Sequence, residues 1–476
     1  MNKYRNSFIW IISIVLVSSC KLPALIQKTE NKEVEANYNG ASLDTTNSGK
    51  LKWQDYFKDP DLVALIDTAL SNNQELNIFL QEINISNNEV RTRKGAYLPF
   101  LGIFGGAGTA KSGRYTNQGA GEEANPIVLG KKNPAFVSDL VVSANVSWEV
   151  DIWKKLRNSR QSAVYNYIST IEGKNFMVTN LIAEISNAYY ELISLDNQLD
   201  ILQQNIEIQQ NALEIVKLEK QAAKVTELAV KKFEAEVLKN QSRIYDIKQQ
   251  ITIQENEINF LVGHFPHSVK RNSKSFLTSF MDTVYAGIPS QLLENRPDIR
   301  KAEQSLLAAK LDVNVAKANF YPSLMINANF GTQAFQPQYL ANLPASLISS
   351  LIGGAFAPLV NRNSLKANYL TSNSKQVQAV FNYERTILNG YIEVANQLSN
   401  IENLKKSFDL KTKQVDALTE SINISTGLFR SARADYMEVL LTQRDALESR
   451  FELIETKKLQ MHAKINIYKA LGGGWR

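Results

Sequence analysis

The chain contains 476 residues, with 53 lysines and arginines against 47 aspartates and glutamates and a formal net charge of +6. A mixed-charge surface with so small an excess gives no indication of nucleic-acid binding. Cys20 is the one cysteine, which excludes a disulfide framework and a thiolate metal cluster. The function must therefore be sought in the pattern of the chain.

The N-terminal residues are organised like a bacterial lipoprotein signal. Lys3 and Arg5 form a basic start, and the apolar run 8–17 is too short to span a membrane as a stable helix. Val17-Ser18-Ser19-Cys20 follows this run. We therefore predict that residues 1–19 are a signal peptide.

The cysteine that follows the predicted cleavage point is expected to carry lipid. Cys20 would bear a diacylglycerol and an N-acyl chain, and it would anchor the N-terminus by burying the acyl chains in a membrane. Residues 20–50 are mostly polar and irregular, so we predict that they form a tether. An ordinary signal peptide with an incidental cysteine is the alternative.

Two long parts of the chain follow one plan, which indicates a tandem duplication. Pro99 aligns with Pro322, and further matches at this offset are Asn72 with Asn295, Leu76 with Ile299, Lys94 with Lys317 and Gly108 with Gly331. Later in each copy the offset becomes 209, where Gly263 aligns with Gly472. The predicted units are a first repeat over 51–265, an equatorial linker over 266–288 and a second repeat over 289–476.

Two segments of the first repeat and one of the second show residues that alternate between two faces, the pattern of a strand with one apolar face, and a less regular segment completes the second pair. The clearest example places six apolar residues on one face: Leu140, Val142, Ala144, Val146, Trp148 and Val150. We predict strands at about 97–107 and 139–150 in the first repeat and at about 321–334 and 351–359 in the second.

Long tracts without proline follow each strand pair, and their apolar residues recur every three or four positions. The seam of the first tract is Leu181, Ile185, Ala188, Leu192, Leu195, Leu199, Leu202 and Ile206. This pattern predicts a pair of long antiparallel coiled helices over about 155–262 and a second pair over about 364–471.

The combination predicts an α+β membrane protein. Strands of about ten residues that are apolar on one face fit the span of an outer-membrane barrel strand. Four strands cannot close around water, and an open edge in lipid leaves backbone groups unpaired. A homotrimer would supply a 12-stranded β-barrel that a 12-helix α-barrel continues. A soluble sheet is the alternative.

The sequence resembles the TolC-like outer-membrane efflux proteins, specifically the lipid-anchored OprM/NodT branch. The resemblance runs from about Trp53 to Trp475, and its motifs are WQDYFKDPDLVALIDTALSNN, SWEVDIW, LLENRPDIRKAEQSLLAAK, KANFYPSL and YKALGGGW. The motif that begins Arg296-Pro297-Asp298-Ile299 is the most specific.

This resemblance implies a passive trimeric exit duct across the outer membrane and the periplasm of a Gram-negative bacterium. Its implied partners are a periplasmic adaptor (membrane fusion) protein, an inner-membrane transporter such as an RND pump, and outer-membrane lipid. It implies no enzymatic activity, no nucleic-acid partner and no cofactor other than the covalent lipid. An outer-membrane duct of a type I secretion system and a non-channel coiled-coil envelope lipoprotein are the alternatives.

The resemblance also suggests site residues. Acidic residues after the second helix hairpin ring the constriction of the family's channels, and Asp435 and Glu438, with Arg433 beside them, occupy that place here. The alternative is an ordinary helix terminus, where acidic residues are favoured. Lys224 and Glu227 of the first hairpin are the candidates for adaptor contact, against the alternative of an exposed charged turn.

The chain departs from the family pattern at three positions. Ala223 and Ala432 stand where the hairpin tips usually carry glycine, and Lys154 replaces the usual glycine after SWEVDIW. His264 and His267 have the spacing of metal ligands, but no third ligand is near them in the sequence, so we predict no metal site.

Overall fold

The structure, a computed structural model, describes residues 22–38, 44–128, 130–278, 284–360, 362–431 and 433–476. The predicted signal peptide, Cys20 and Ala432 lie outside these residues. In the described part of the chain, no helix is both long enough and apolar enough to cross a membrane.

Both repeats contain strands that precede two long helices. The elements of the first are α1 (Trp53–Tyr56), α2 (Pro60–Asn72), α3 (Gln74–Tyr97), β1 (Phe100–Ala110), α4 (Asn117–Ala124), β2 (Val137–Val150), α5 (Lys155–Gln221) and α6 (Glu227–Val262). The elements of the second are α7 (Leu292–Asn295), α8 (Pro297–Ala318), β3 (Ser323–Ala334), β4 (Leu347–Phe356), α9 (Asn363–Arg430) and α10 (Tyr436–Ala470). Short 3-10 turns occupy Ser48–Lys50, Pro289–Gln291 and Pro337–Tyr339.

The four strands form one antiparallel sheet in the order β1-β2-β3-β4. The two predicted strand pairs are therefore joined, with Trp148 of β2 opposite Ile326 of β3. Strands β1 and β4 each pair on one side only, so they are the two edges of the sheet.

The first and fourth strands differ most from the sequence prediction. The first strand begins at Phe100 because Tyr97 still belongs to α3 and Pro99, which lacks an N–H group, separates the two elements. The fourth runs over Leu347–Phe356 rather than 351–359, since Leu347 pairs with Thr332 and Phe356 with Ser323. Cross-strand pairing, which composition does not reveal, sets the two ends of the fourth strand.

Equivalent contacts confirm the internal repeat. Gly263, just after α6, has a left-handed φ of 81°, and a Cβ there would lie 2.8 Å from the carbonyl oxygen of Asn72. Gly472, just after α10, has a φ of 82°, and a Cβ would lie 2.5 Å from the carbonyl oxygen of Asn295. The aligned glycines thus meet the aligned asparagines. Only glycine provides both the conformation and the close approach.

The chain divides into two compact units, each built from both repeats. A strand unit contains the sheet and includes Asn84–Ile168 and Gln304–Val380. A helix unit comprises Glu30–Ile83, Ser169–Glu303 and Phe381–Arg476. These units differ from the predicted repeats because packing joins equivalent parts of the two copies, so the repeat boundaries remain a prediction about sequence organisation.

The predicted tether is packed where the structure describes its beginning. Leu22 and Leu25 contact an apolar cluster that includes Phe320 and Tyr369. The amide of Asn373 accepts from the N–H of Ile26 at 2.9 Å and donates to its carbonyl at 3.0 Å. The polar composition of the segment did not predict this contact. A few apolar residues are enough to hold its extended backbone, together with one side-chain amide that both accepts and donates a hydrogen bond.

Arg296, from the most specific sequence motif, lies inside the helix unit with 5% of its side chain exposed. Nε and Nη2 donate to the two carboxylate oxygens of Asp298 at 3.0 and 2.7 Å. Nη1 donates to Glu393 at 2.7 Å and to the carbonyl of Ala470 at 2.9 Å. The arginine therefore joins the start of α8 to α9 and to the end of α10, which is a structural role for the motif.

Candidate functional site

The first hairpin turn joins α5 to α6 through a Schellman motif. The N–H of Lys224 donates to the carbonyl of Glu219 at 2.9 Å, and that of Ala223 donates to Lys220 at 2.9 Å. Ala223 has a φ of 58°, the left-handed conformation that glycine usually provides at this position. The turn thus keeps the geometry of a glycine turn although its side chain opposes that conformation.

We expect Ala223→Gly to stabilise the first hairpin turn by about 1 kcal/mol, because a non-glycine residue in the left-handed region costs about 1–2 kcal/mol. Hydrogen exchange of the amides around the turn would measure the change as slower opening. Ala222→Gly is the matched control, since Ala222 has no positive φ. Equal or opposite effects of the two glycines would contradict the assignment of strain to Ala223.

The second hairpin turn repeats one hydrogen bond of the first. The N–H of Arg433 donates to the carbonyl of Leu428 at 2.9 Å, which is the Lys224–Glu219 bond displaced by the 209-residue offset of the repeat. Asp435 is the N-cap of α10, and the N–H of Glu438 donates to its backbone carbonyl at 3.1 Å. The cap is thus made by the backbone of Asp435, since its side chain accepts no capping bond.

The side chains of Arg433, Asp435 and Glu438 are exposed. Within the described residues, the structure places no ion pair or side-chain hydrogen bond on either carboxylate. The three candidates therefore share one exposed turn and its first helical residues, and both carboxylates are available to another molecule.

The ends of the two hairpins pack together in the helix unit. Phe429, Tyr436 and Leu440, which flank the second turn, contact one apolar cluster of the first hairpin: Leu213, Val216, Ala229, Val230, Phe233 and Val237. The candidate constriction residues and the candidate adaptor-contact residues consequently lie at the same end of the helix unit. Sequence spacing did not predict this proximity, because it depends on packing between the two repeats.

The two candidate adaptor-contact residues differ in their surroundings. Glu227 forms an ion pair with Lys220, and the hydrogen bond from that lysine holds the pKa of the Glu227 carboxyl below its usual value. Lys224 is exposed at the turn, and no ion pair to it occurs within the described residues. Lys224 is therefore the better positioned of the two for a contact with another protein.

A buried amide pair in the first hairpin was not singled out from the sequence. Asn240 of α6 donates to Gln209 of α5 at 2.9 Å, and both side chains are about 1% exposed. Polar residues at buried seam positions favour one helix register. The signal was present in the sequence, since Asn240 interrupts the apolar seam of α6.

The structure places His264 and His267 in the loop that follows α6. The rings of His264 and His267 lie 5.5 Å apart, and one His267 nitrogen lies 3.0 Å from the carbonyl of Phe265. Among the described residues, no group of three or more histidine, cysteine, aspartate or glutamate side chains could hold a metal ion.

Comparisons with known proteins agree with this architecture. The family model described as outer membrane efflux protein matches residues 65–264 and 288–473. The "Cation efflux system protein CusC" of Escherichia coli O6:H1 (strain CFT073) is 24% identical over 448 residues, which cover 94% of this chain and 93% of that protein. The "Solvent efflux pump outer membrane protein SrpC" of Pseudomonas putida is 26% identical over 425 residues, covering 89% of this chain and 87% of that protein.

A solved structure with the same fold is the open state of the Neisseria gonorrhoeae MtrE outer membrane channel. It superposes with a TM-score of 0.83 at 22% identity and covers 96% of this chain and 98% of that chain. Both repeats, the sheet and the paired long helices are therefore shared with a solved channel.

Proposed function

Because this chain belongs to the outer membrane efflux protein family, we propose that it is the outer-membrane channel of a tripartite efflux system. Three copies form a passive exit duct. A periplasmic adaptor and an inner-membrane pump deliver the substrates and supply the energy. The family consists of transport channels, so the proposed role involves movement of a substrate rather than its chemical conversion.

The single observation that supports this role best is the open sheet with one apolar face. Large apolar side chains are exposed on that face, among them Leu101, Ile103, Val142, Phe330 and Leu351, with exposures of 67%, 86%, 50%, 60% and 77%. A face of this kind fits lipid, and lipid does not tolerate the unpaired edges of β1 and β4. Threefold closure, with β4 of one copy beside β1 of the next, pairs every edge.

In the proposed duct, Asp435 and Glu438 line the periplasmic constriction. Their exposure and their position at the hairpin end support this assignment. A threefold axis would bring three copies of each carboxylate together, and such a ring attracts cations. Arg433, in the same turn, would limit the negative charge of the ring.

The proposed adaptor contact is centred on Lys224, with Glu227 beside it. We expect Lys224→Glu to weaken the channel–adaptor complex about tenfold, since reversing a charge at an interface introduces repulsion. Binding of the purified cognate adaptor and drug susceptibility of the native host would measure the effect. Lys239→Glu is the control, because Lys239 is also exposed but pairs with Glu236 along α6. Unchanged binding and resistance in Lys224→Glu would remove this assignment.

The lipid anchor on Cys20 also belongs to the proposal. The sequence pattern at residues 17–20 supports it, as does the packed segment that begins only two residues later at Leu22. In the proposed protein this anchor lies in the outer membrane, and the helices extend into the periplasm. Mass spectrometry of the N-terminal peptide tests it, and an unmodified cysteine or an uncleaved leader would reject it.

The decisive experiment combines oligomeric mass with conductance in a planar bilayer, using the purified, detergent-solubilised protein. We expect trimers that form small, mostly closed, cation-preferring channels. A monomer that inserts no channel would overturn the proposed function and favour a non-channel envelope lipoprotein. Deletion of the gene in its native host would separate efflux from protein secretion, since only the loss of efflux raises drug susceptibility.

A further inference from the structure

One face of the sheet has a different character at its centre and at its edges. In the central strands this face carries Ser143, Asn145, Ser147, Asn327 and Asn329. Asn329 donates to Asn145 at 2.6 Å and to Ser143 at 3.2 Å, so these side chains form a hydrogen-bonded polar ladder. The opposite face is the apolar one, so the ladder faces water when the sheet lies in a membrane.

The two edge strands place apolar side chains on this same polar-ladder face. Cross-strand pairing shows it: Phe100 is opposite Ser147, and Phe104 is opposite Ser143. On the other edge, Ile352 is opposite Asn327 and Ile348 is opposite Gly331. Directly paired residues share a face, so both edges depart from the polar character of the centre.

Contacts with glycine fix the two phenylalanine rings on that face. A Cβ on Gly106 would lie 2.9 Å from the Phe104 ring, and a Cβ on Gly102 would lie 3.3 Å from the Phe100 ring. Each ring therefore covers the glycine two residues further along β1. The rings remain 71% (Phe100) and 54% (Phe104) exposed, so they present a large apolar surface.

Closure of the sheet by a second copy would bring the two apolar edges together. This step rests on the proposed trimeric channel. There, β4 lies beside β1 of the neighbouring copy, and Phe100 and Phe104 join the apolar edge of β4 formed by Ile348, Ile352 and Phe356. We name this set the junction seam. Ile352 and Phe356 are 61% and 69% exposed in the single chain. Three such seams would alternate with three polar ladders around the pore.

The charged residues within the strands are both acidic, and both lie on this face. The only charged residues in the four strands are Asp139 and Glu149. Glu149 forms an ion pair with Lys155, whereas Asp139 accepts two hydrogen bonds from the neutral amide of Gln333, at 2.8 and 3.0 Å. No ion pair to Asp139 occurs within the described residues, so its negative charge favours cations near the ladder face.

We propose that the junction seams are binding sites for amphipathic organic cations that carry an aromatic ring. The apolar residues of the seam accept the ring, with Phe100 and Phe104 also available for cation–π contact, and the nearby polar ladder solvates the charge. A small hydrated ion uses only the ladder. The barrel of this chain therefore distinguishes between two classes of cation inside the membrane.

The test uses block of the potassium current through single channels by tetraphenylphosphonium, with tetramethylammonium as the cation that lacks aromatic rings. In Phe100→Ser/Phe104→Ser we expect the half-blocking concentration of tetraphenylphosphonium to rise about tenfold, because the aromatic contacts are lost. The potassium conductance and the effect of tetramethylammonium should remain as in the unmodified channel.

Two further variants keep the test decisive if the double serine variant fails to assemble. Phe100→Leu/Phe104→Leu retains an apolar edge and should weaken the block less than serine does. Ile352→Ser changes the other side of the seam and should weaken it as well. Ser349→Ala, on the opposite face of β4, is the matched control and should leave the block unchanged.

The outcomes separate this inference from the proposed function. If the unmodified protein forms no conducting trimer, the proposed function fails and the seam does not exist. If it conducts and tetraphenylphosphonium blocks the unmodified, Phe→Leu and Ile352→Ser channels equally, the channel stands and the junction-seam proposal is overturned. Equal loss of block in Ser349→Ala would also overturn it, since the loss would then not depend on the residues of the seam.

Discussion

Replacing Asp435 and Glu438 together by alanine is expected to raise the single-channel conductance severalfold. The narrowest segment of a pore dominates its resistance, and in the proposed trimer these exposed carboxylates line that segment. Alanine removes both bulk and charge there, so the open pore widens and its preference for cations falls. Single-channel recording in symmetrical salt and in a salt gradient measures both changes.

The matched control for this prediction is Glu402→Ala. Glu402 is also an exposed acidic residue on a long helix, but it pairs with Lys406 of the same helix at 2.7 Å. We expect its conductance and selectivity to equal those of the unmodified channel. If the double alanine variant also keeps both properties, the carboxylates of the second hairpin do not line the constriction.

The second large effect is expected at Arg296. Arg296→Ala should lower the free energy of unfolding by about 3–5 kcal/mol, because it removes the cationic partner of Asp298, a carboxylate that is mostly inside the protein. It also leaves the carbonyl of Ala470, at the end of α10, without its side-chain donor. The loss should appear as a lower thermal midpoint of the purified protein and as a smaller yield of folded material.

Arg93→Ala provides the comparison for Arg296→Ala. Arg93 pairs with Glu89 one helical turn away, and the two side chains are 51% and 49% exposed. Exposed pairs of this kind contribute at most about 1 kcal/mol. Similar thermal midpoints for the two variants would show that the buried interactions of Arg296 contribute no more to stability than an exposed ion pair does. Arg296→Met, which preserves much of the side-chain volume, would separate lost charge from lost packing against Gly390.

Local signals in the sequence predicted much of the fold because they act over a few residues. Alternation identified three of the four strands, the repeat indicated the fourth, and the recurrence of apolar residues identified both helix pairs. The repeat offset of 209 correctly relates the Lys224 and Arg433 turn bonds. Two of the positions that lack the family's usual glycine, Lys154 and Ala223, have a positive φ, which is the backbone conformation that glycine favours.

The candidate site was predictable only in part. The resemblance to a family located the two turns, but it did not show that Glu227 is paired with Lys220 whereas the carboxylates of Asp435 and Glu438 lack such pairs within the described residues. Nor did it reveal the buried amide pair of Gln209 and Asn240, whose interaction depends on which side chains the two helices bring together. The assignments of these turns to a constriction and to an adaptor contact remain proposals.

The sequence by itself determined the helix and strand periodicities, the duplication and the family of this protein, because each of these depends only on the order of residues along the chain. The tertiary structure decided which strands and side chains are neighbours in space. It joined β2 to β3 across the two repeats, packed Leu22 and Leu25 against the strand unit, and placed Phe100 and Phe104 on the same face as the polar ladder. The physical reason is that strand register and side-chain packing link residues far apart in the chain, and no local pattern specifies such pairs.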